Sequence, residues 1–213
     1  MKILPTKFPA SNASQRGFTL IEALIAFVIL SVGLLGIVSL QAMAKTSQHL
    51  AIQHTRAVTI ADAIVERIRV NPAGMATYNI GISSAVGVSS DTPPSPDCQT
   101  DACTTPDELA AHDLWAWEQA LLGAGATIDG ANTAGLIQPR GCIEFTSVDP
   151  VNRPNTGQLR VTIQWRGLHE SYDAVQSGED VCEDSADPSA LAGADKFRRK
   201  VVTNTYVVDE KDF

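Results

Sequence analysis

The sequence predicts an α+β fold in which a long N-terminal helix, membrane-spanning in its first half, packs on a C-terminal antiparallel β-sheet. Three observations carry this expectation. Residues 18–40 form an almost wholly apolar run. Residues 40–68 continue it with an apolar or small side chain every three or four positions, the period of one helix face. The last third of the chain then holds short β-branched or alternating segments, the period-two pattern of half-buried strands.

The first element is the run Phe18–Leu40, whose 23 residues would reach about 34 Å as a helix, against a bilayer core of about 30 Å. Lys2, Lys7 and Arg16 precede it with no acid, which leaves the N-terminus in the cytoplasm and sends the large C-terminal part outside. A secretory signal peptide would have a shorter apolar region followed by a small-residue cleavage site. Here the small residue, Gly17, comes before the run. One acid, Glu22, interrupts it. An ionised carboxylate in hydrocarbon costs about 2.5 kcal/mol or more, so it calls for a partner, and a plain signal anchor supplies none. A chain cut just before Phe18 would supply one. The new amine is a cation at a helix N-terminus, and a carboxylate one turn along can neutralise it or the amine of a neighbour.

The second element continues the first. Leu40, Met43, Ser47, Leu50, His54, Ala57 or Val58, Ala61, Ile64 or Val65, and Ile68 make one stripe. No Gly or Pro follows Leu40 until Asn71-Pro72, where proline disfavours helix at the residue before it. The result is one helix of about 53 residues, roughly 80 Å long. A coiled coil is the alternative use of such a stripe, but no matching second helix is present, which favours docking on a sheet. Gly33 and Gly36 each weaken the apolar half by about 1 kcal/mol relative to Ala. They fit either close helix packing or local unwinding when the helix leaves the bilayer, and their GxxG spacing is not the GxxxG of membrane dimers. The organisation is therefore a leader at 1–17, an apolar helix at 18–40, its amphipathic continuation at 41–72, and a globular domain at 73–213.

Residues 79–106, rich in Ser, Gly, Pro and Thr, read as a loop. Thr105-Pro106-Asp107-Glu108 is a capping box with Pro at the first helical position. It opens a helix to Leu122 with Leu109, Leu114, Trp117 and Leu121 on one face and Gly123 as its stop. Trp115 and Trp117 read as core or sheet-covering residues. Strands are expected at 142–146, at 159–166 with Leu159, Val161, Ile163 and Trp165 on one face, and at 200–208. Between the last two lies an acidic, irregular stretch, 169–195. Its pairs Glu179-Asp180 and Glu183-Asp184 keep it solvated rather than serving as acid and base.

The 213 residues carry a net charge of −8, and removing the three leader cations would leave −11. Such an exterior repels a phosphate backbone, so no nucleic-acid partner is expected. The four cysteines, Cys98, Cys103, Cys142 and Cys182, all fall on the exported side, where an even count supports two disulfides with three possible connectivities. A tight Cys98–Cys103 loop and a long Cys142–Cys182 loop are favoured. Their spacing fits no zinc finger, and His49, His54, His112 and His169 are scattered without a paired ligand motif. With no nucleophile elbow or P-loop either, no catalytic residue, metal, cofactor or enzymatic activity is expected.

The segment Arg16-Gly17-Phe18-Thr19-Leu20-Ile21-Glu22 resembles the processing site of type IV prepilins and related pseudopilins. The resemblance implies that a prepilin peptidase cuts between Gly17 and Phe18 on the cytoplasmic face and methylates the new amine, giving N-methylphenylalanine at Phe18, with Glu22 acting in assembly. Farther along, Leu34–Gln41, Ala61–Pro72, Cys98 and Cys103 followed by Glu108-Leu-Ala, Asp113-Leu-Trp115-Ala-Trp117 and Arg160–Trp165 resemble the PilV family of type IV pilus modification proteins, which are minor pilins. That likeness implies a type IV pilin-like fold and a non-enzymatic subunit that co-assembles in the inner membrane, primes pilus polymerisation and sits at or near the tip. It implies as partners the peptidase, other minor pilins, the major pilin, a large tip adhesin and inner-membrane lipid. The chain would be single-pass with its C-terminal domain in the periplasm, then in the pilus at the cell surface. A minor pseudopilin of a type II secretion system shares this N-terminus, but the two cysteine pairs with Asp113-Leu-Trp115 favour the pilus. Nothing carries over to 169–195.

Overall fold

Leu20–Val70 form one uninterrupted helix, α1, in the computed structural model, which describes residues 17–87, 92–171, 182 and 196–212. The leader residues 1–16 and most of the acidic stretch (172–181 and 183–195) lie outside the described residues. The chain divides into two compact units, Met1–Lys45 and Thr46–Phe213.

In the first unit, α1 is helical through Gly33 and Gly36, and nothing lies within 4 Å of a Cβ added at either. Its apolar side chains project all round and are exposed. The helix is long and apolar enough to cross a membrane.

In the second unit, α1 buries Gln53, Ala57, Ile60, Ala61, Ile64, Val65 and Ile68. The stripe is thus real but starts later than its sequence period implied. Leu40, Met43 and Ser47 are exposed, and His54 stands exposed at its flank while Gln53 and Ile60 are inside. Only the last turns have a core to face. That core is a four-stranded antiparallel sheet of order β1-β4-β5-β6, formed by β1 (Gly81–Val86), β4 (Arg140–Asp149), β5 (Arg153–Arg166) and β6 (Arg198–Val207). Leu159, Val161, Ile163 and Trp165 of β5 and Ile143 of β4 meet Ala61, Ile64 and Ile68 in one apolar cluster. The alternation read from β5 therefore gives its inner face.

The outer face of the sheet departs from that alternation, because Thr162 and Gln164 are also buried. Cys182, bonded to Cys142 of β4, lies over this face with its sulfur 3.7 Å from the Thr162 carbonyl oxygen. All three expected strands are longer than their apolar patterns, since pairing extends β4 and β5 to the hairpin at Asp149–Arg153. Asp149 holds that turn by accepting the Val151 and Asn152 amides at 3.1 Å each.

Two elements had no clear strand pattern. β1 lies within the stretch read as a loop and pairs with β4 through an irregular register. Its two ends are tied from outside it: the Phe145 amide donates to Asn79, and the Gly87 amide donates to Glu118. β2 (Thr127–Ile128) and β3 (Ala131–Asn132) form a minimal hairpin around Asp129-Gly130, both at positive φ, as a two-residue type I′ turn requires.

After the short helix α2 (Met75–Tyr78), the helix α3 (Pro106–Leu122) begins at a complete Thr105–Glu108 capping box and ends on Gly123 at φ 74°, matching the sequence reading at both ends. Its face differs. Leu109 is partly exposed, while Ala110, His112, Asp113 and Glu118 join Trp117 and Leu121 in being buried. Trp117 crosses Gly141 of β4, where an added Cβ would come within 2.5 Å of its ring, and its indole N–H donates to the Ile60 carbonyl of α1 at 3.2 Å. Sheet, α1 and α3 are locked by that one side chain.

Candidate functional site

The candidate processing and assembly site is at the start of α1. Gly17, Phe18 and Thr19 are non-helical and exposed, and α1 starts at Leu20. The Gly17–Phe18 bond therefore lies outside any hydrogen-bonded element, in the kind of backbone a peptidase can bind in extended form. Thr19 occupies the N-cap position. Its hydroxyl accepts the Glu22 amide at 3.3 Å, and its carbonyl accepts the Glu22 and Ala23 amides at 3.1 and 3.2 Å. This satisfies one of the orphan donors of a helix start. Glu22 is consequently the third helical residue, in the first turn, where the positive end of the helix dipole favours a carboxylate.

Sequence reasoning missed Thr19. Its signal was present: Thr19-Leu-Ile-Glu22 has the same T-x-x-E spacing as Thr105-Pro-Asp-Glu108. At Thr105 both halves of the box are formed, with the Glu108 carboxylate accepting the Thr104 and Thr105 amides at 2.7 and 3.1 Å. Those bonds, the Thr104 amide first, hold the Glu108 carboxyl below its ordinary value.

A second cluster fixes the far end of α1 within the globular unit. Arg67 donates to one oxygen of Asp113 at 2.7 Å, and the Tyr78 hydroxyl donates to the other at 2.5 Å. The Asn71 side-chain amide donates to the Pro106 carbonyl at 2.8 Å, joining the residue just after α1 to the first residue of α3. Burial, followed by the bond to Asp113, pushes the Tyr78 phenol well above the usual tyrosine value. Arg69 pairs with Glu66 and also donates to Thr205 of β6 at 2.6 Å. Arg67, Tyr78 and Asp113 share no local pattern, so nothing in the sequence announced them as a group.

Cys98 is bonded to Cys103 just ahead of α3, and Cys142 to Cys182 across the sheet. Among the described residues, no group of three or more His, Cys, Asp and Glu side chains is placed to hold a metal ion.

A long apolar N-terminal helix whose second half packs on a four-stranded antiparallel sheet is typical of the type IV pilin fold. Comparison with known families agrees. Residues 12–38 match the model described as the prokaryotic N-terminal methylation motif, and residues 39–115 match the model described as type IV pilin Tt1218. The two matches adjoin and support a type IV pilin that is a substrate of prepilin processing and that assembles with other pilins. The apolar helix and the motif together support membrane anchoring with the C-terminal domain outside. No curated protein and no solved structure matches the chain.

Proposed function

We propose that this chain is a minor pilin of the PilV kind, which takes part in initiating and assembling type IV pili and sits at or near the pilus tip. The observation that carries the reading is Glu22 held in the first turn of an exposed apolar helix, three residues past its Thr19 cap and four past Phe18 of an exposed Gly17–Phe18 bond. Prepilin peptidase releases the leader 1–17 and methylates the amine of Phe18. That amine and Glu22 then align the subunit with its neighbour in the inner membrane, because each ion costs less in hydrocarbon when paired. Residues 18–40 next exchange lipid for the helices of other pilins. The periplasmic domain selects which minor pilins, major pilin or tip adhesin stand beside it.

Replacing Glu22 by Ala tests this directly. Processing and membrane insertion should persist, read by N-terminal sequencing of the membrane-extracted chain, while the protein disappears from sheared pili. Normal piliation and normal co-purification with the other minor pilins would refute the role given to Glu22. Loss of twitching rather than of exoprotein secretion on deletion separates the pilus subunit from a type II pseudopilin, which has the same N-terminus.

A further inference from the structure

Pairing register divides the outer face of the sheet into two halves. Toward one end, Cys142, Thr162 and Gln164 are buried, with Cys182 lying over them. Toward the other, two successive rows face outward across three strands: Glu144, Arg160 and Asn204 in one, Thr146, Gln158 and Tyr206 in the next. These six side chains line a concave site of about 440 Å³. Strand spacing and rise give it a footprint of about 10 by 7 Å, the size of one or two sugar rings.

We propose that this half of the outer sheet face, uncovered among the described residues, is a binding site for a neutral pyranose. Three features favour that chemistry. First, Tyr206 is 50% exposed and offers an aromatic face for the apolar C–H side of a sugar ring. Second, Gln158, Asn204 and Thr146 supply both donors and acceptors, which suits ligands whose every group is a hydroxyl. Third, Glu144 and Arg160 stand opposite each other on neighbouring strands as an ion pair at 3.7 Å, so the acid and the base of the site compensate each other's charge. One acid and one base leave the rows without net charge, which disfavours a phosphate-bearing ligand. The site uses the face opposite α1, and the reading does not depend on the chain being a pilin.

The test uses the full chain in lipid nanodiscs, which avoids sugar-headed detergents, titrated with the methyl glycosides of glucose, galactose and mannose. Saturation-transfer NMR should show transfer to the ring protons of at least one, with a dissociation constant on the order of 1 mM. Tyr206→Ala and Gln158→Arg should each weaken it about tenfold or more, a change of about 1.4 kcal/mol, whereas Tyr206→Phe should retain it. Unchanged circular dichroism of each variant guards against misfolding. No transfer from any of the three sugars to the parent chain, or transfer that survives both Tyr206→Ala and Gln158→Arg, would overturn the proposal. Glu22→Ala should bind sugar like the parent, so a failed assembly role and a failed sugar site are read apart.

Discussion

The two halves of α1 are made of the same kinds of residue and live in opposite surroundings. From Gln53 to Ile68, one face is buried against the protein's own sheet and α3, and the other face carries Asp62, Glu66, Arg67 and Arg69. From Phe18 to Met43, sixteen large apolar side chains are exposed on every side. Each such side chain left in water forgoes about 1.5–3 kcal/mol, so together they forgo tens of kcal/mol, more than the roughly 5–15 kcal/mol that stabilises a typical domain. That gain is open to any medium that covers them. The first half is therefore an interface awaiting a medium, lipid or other helices, while the second is a finished piece of core.

The sharpest way to break this contrast is a matched pair of truncations. Ile64→Ala should cost the globular unit about 2–5 kcal/mol in denaturant unfolding of the full chain, because Ile64 is fully buried in its core. Ile29→Ala, at a residue 67% exposed, should leave that transition where it was. Equal effects would mean that the two halves are not distinct environments. A somewhat smaller loss should follow Asp113→Ala, which strips Arg67 and Tyr78 of their shared acceptor. About 2–3 kcal/mol is expected, again by denaturant unfolding.

The two T-x-x-E boxes extend the comparison to helix starts. Thr105→Ala should cost about 1 kcal/mol of domain stability, measured as a shift in the unfolding midpoint. Thr19→Ala should not move that midpoint, since its helix start belongs to the other unit. The smallest effect is in acid. Glu108 and Asp149 both have carboxyls held below their ordinary values by the amides they accept, with the Asn152 side-chain amide as the leading donor to Asp149. A group with a lowered folded value contributes fully above its unfolded pKa and loses that contribution as pH falls through the folded one. Stability should thus decline gently below about pH 4, and Glu108→Gln should flatten that decline in a pH series of thermal melts.

Much of this was legible in the chain, and the remainder was hidden for identifiable reasons. The helix stop at Asn71-Pro72, the Thr105–Glu108 box, the Gly123 terminus and the inner face of β5 follow from local sterics and from period alone. Thr19 could have been found by the pattern applied at Thr105, and the Asp129-Gly130 hairpin by its turn dipeptide. β1 could not, because Gly-Ile-Ser-Ser-Ala-Val has a weak strand pattern and becomes a strand by pairing with the open edge of β4. Buried Asp113, Glu118 and Gln164 also ran against their polarity. Asp113 and Glu118 are inside because partners distant in sequence meet them, Arg67 and Tyr78 for the first and the Gly87 amide for the second.

By itself, then, the sequence determined that a chain with Gly17-Phe18 and Glu22 at the head of an apolar helix has an N-terminal segment unsuited to water, and that its other end has a helix and strands ready to pack. These are properties of neighbouring residues, set by hydropathy, spacing and backbone sterics. Tertiary structure alone decided where along α1 burial begins, which polar groups it admits, and that Thr162 and Gln164 on the outer sheet face are buried. Those outcomes depend on contacts between residues tens of positions apart, whose formation no local pattern encodes.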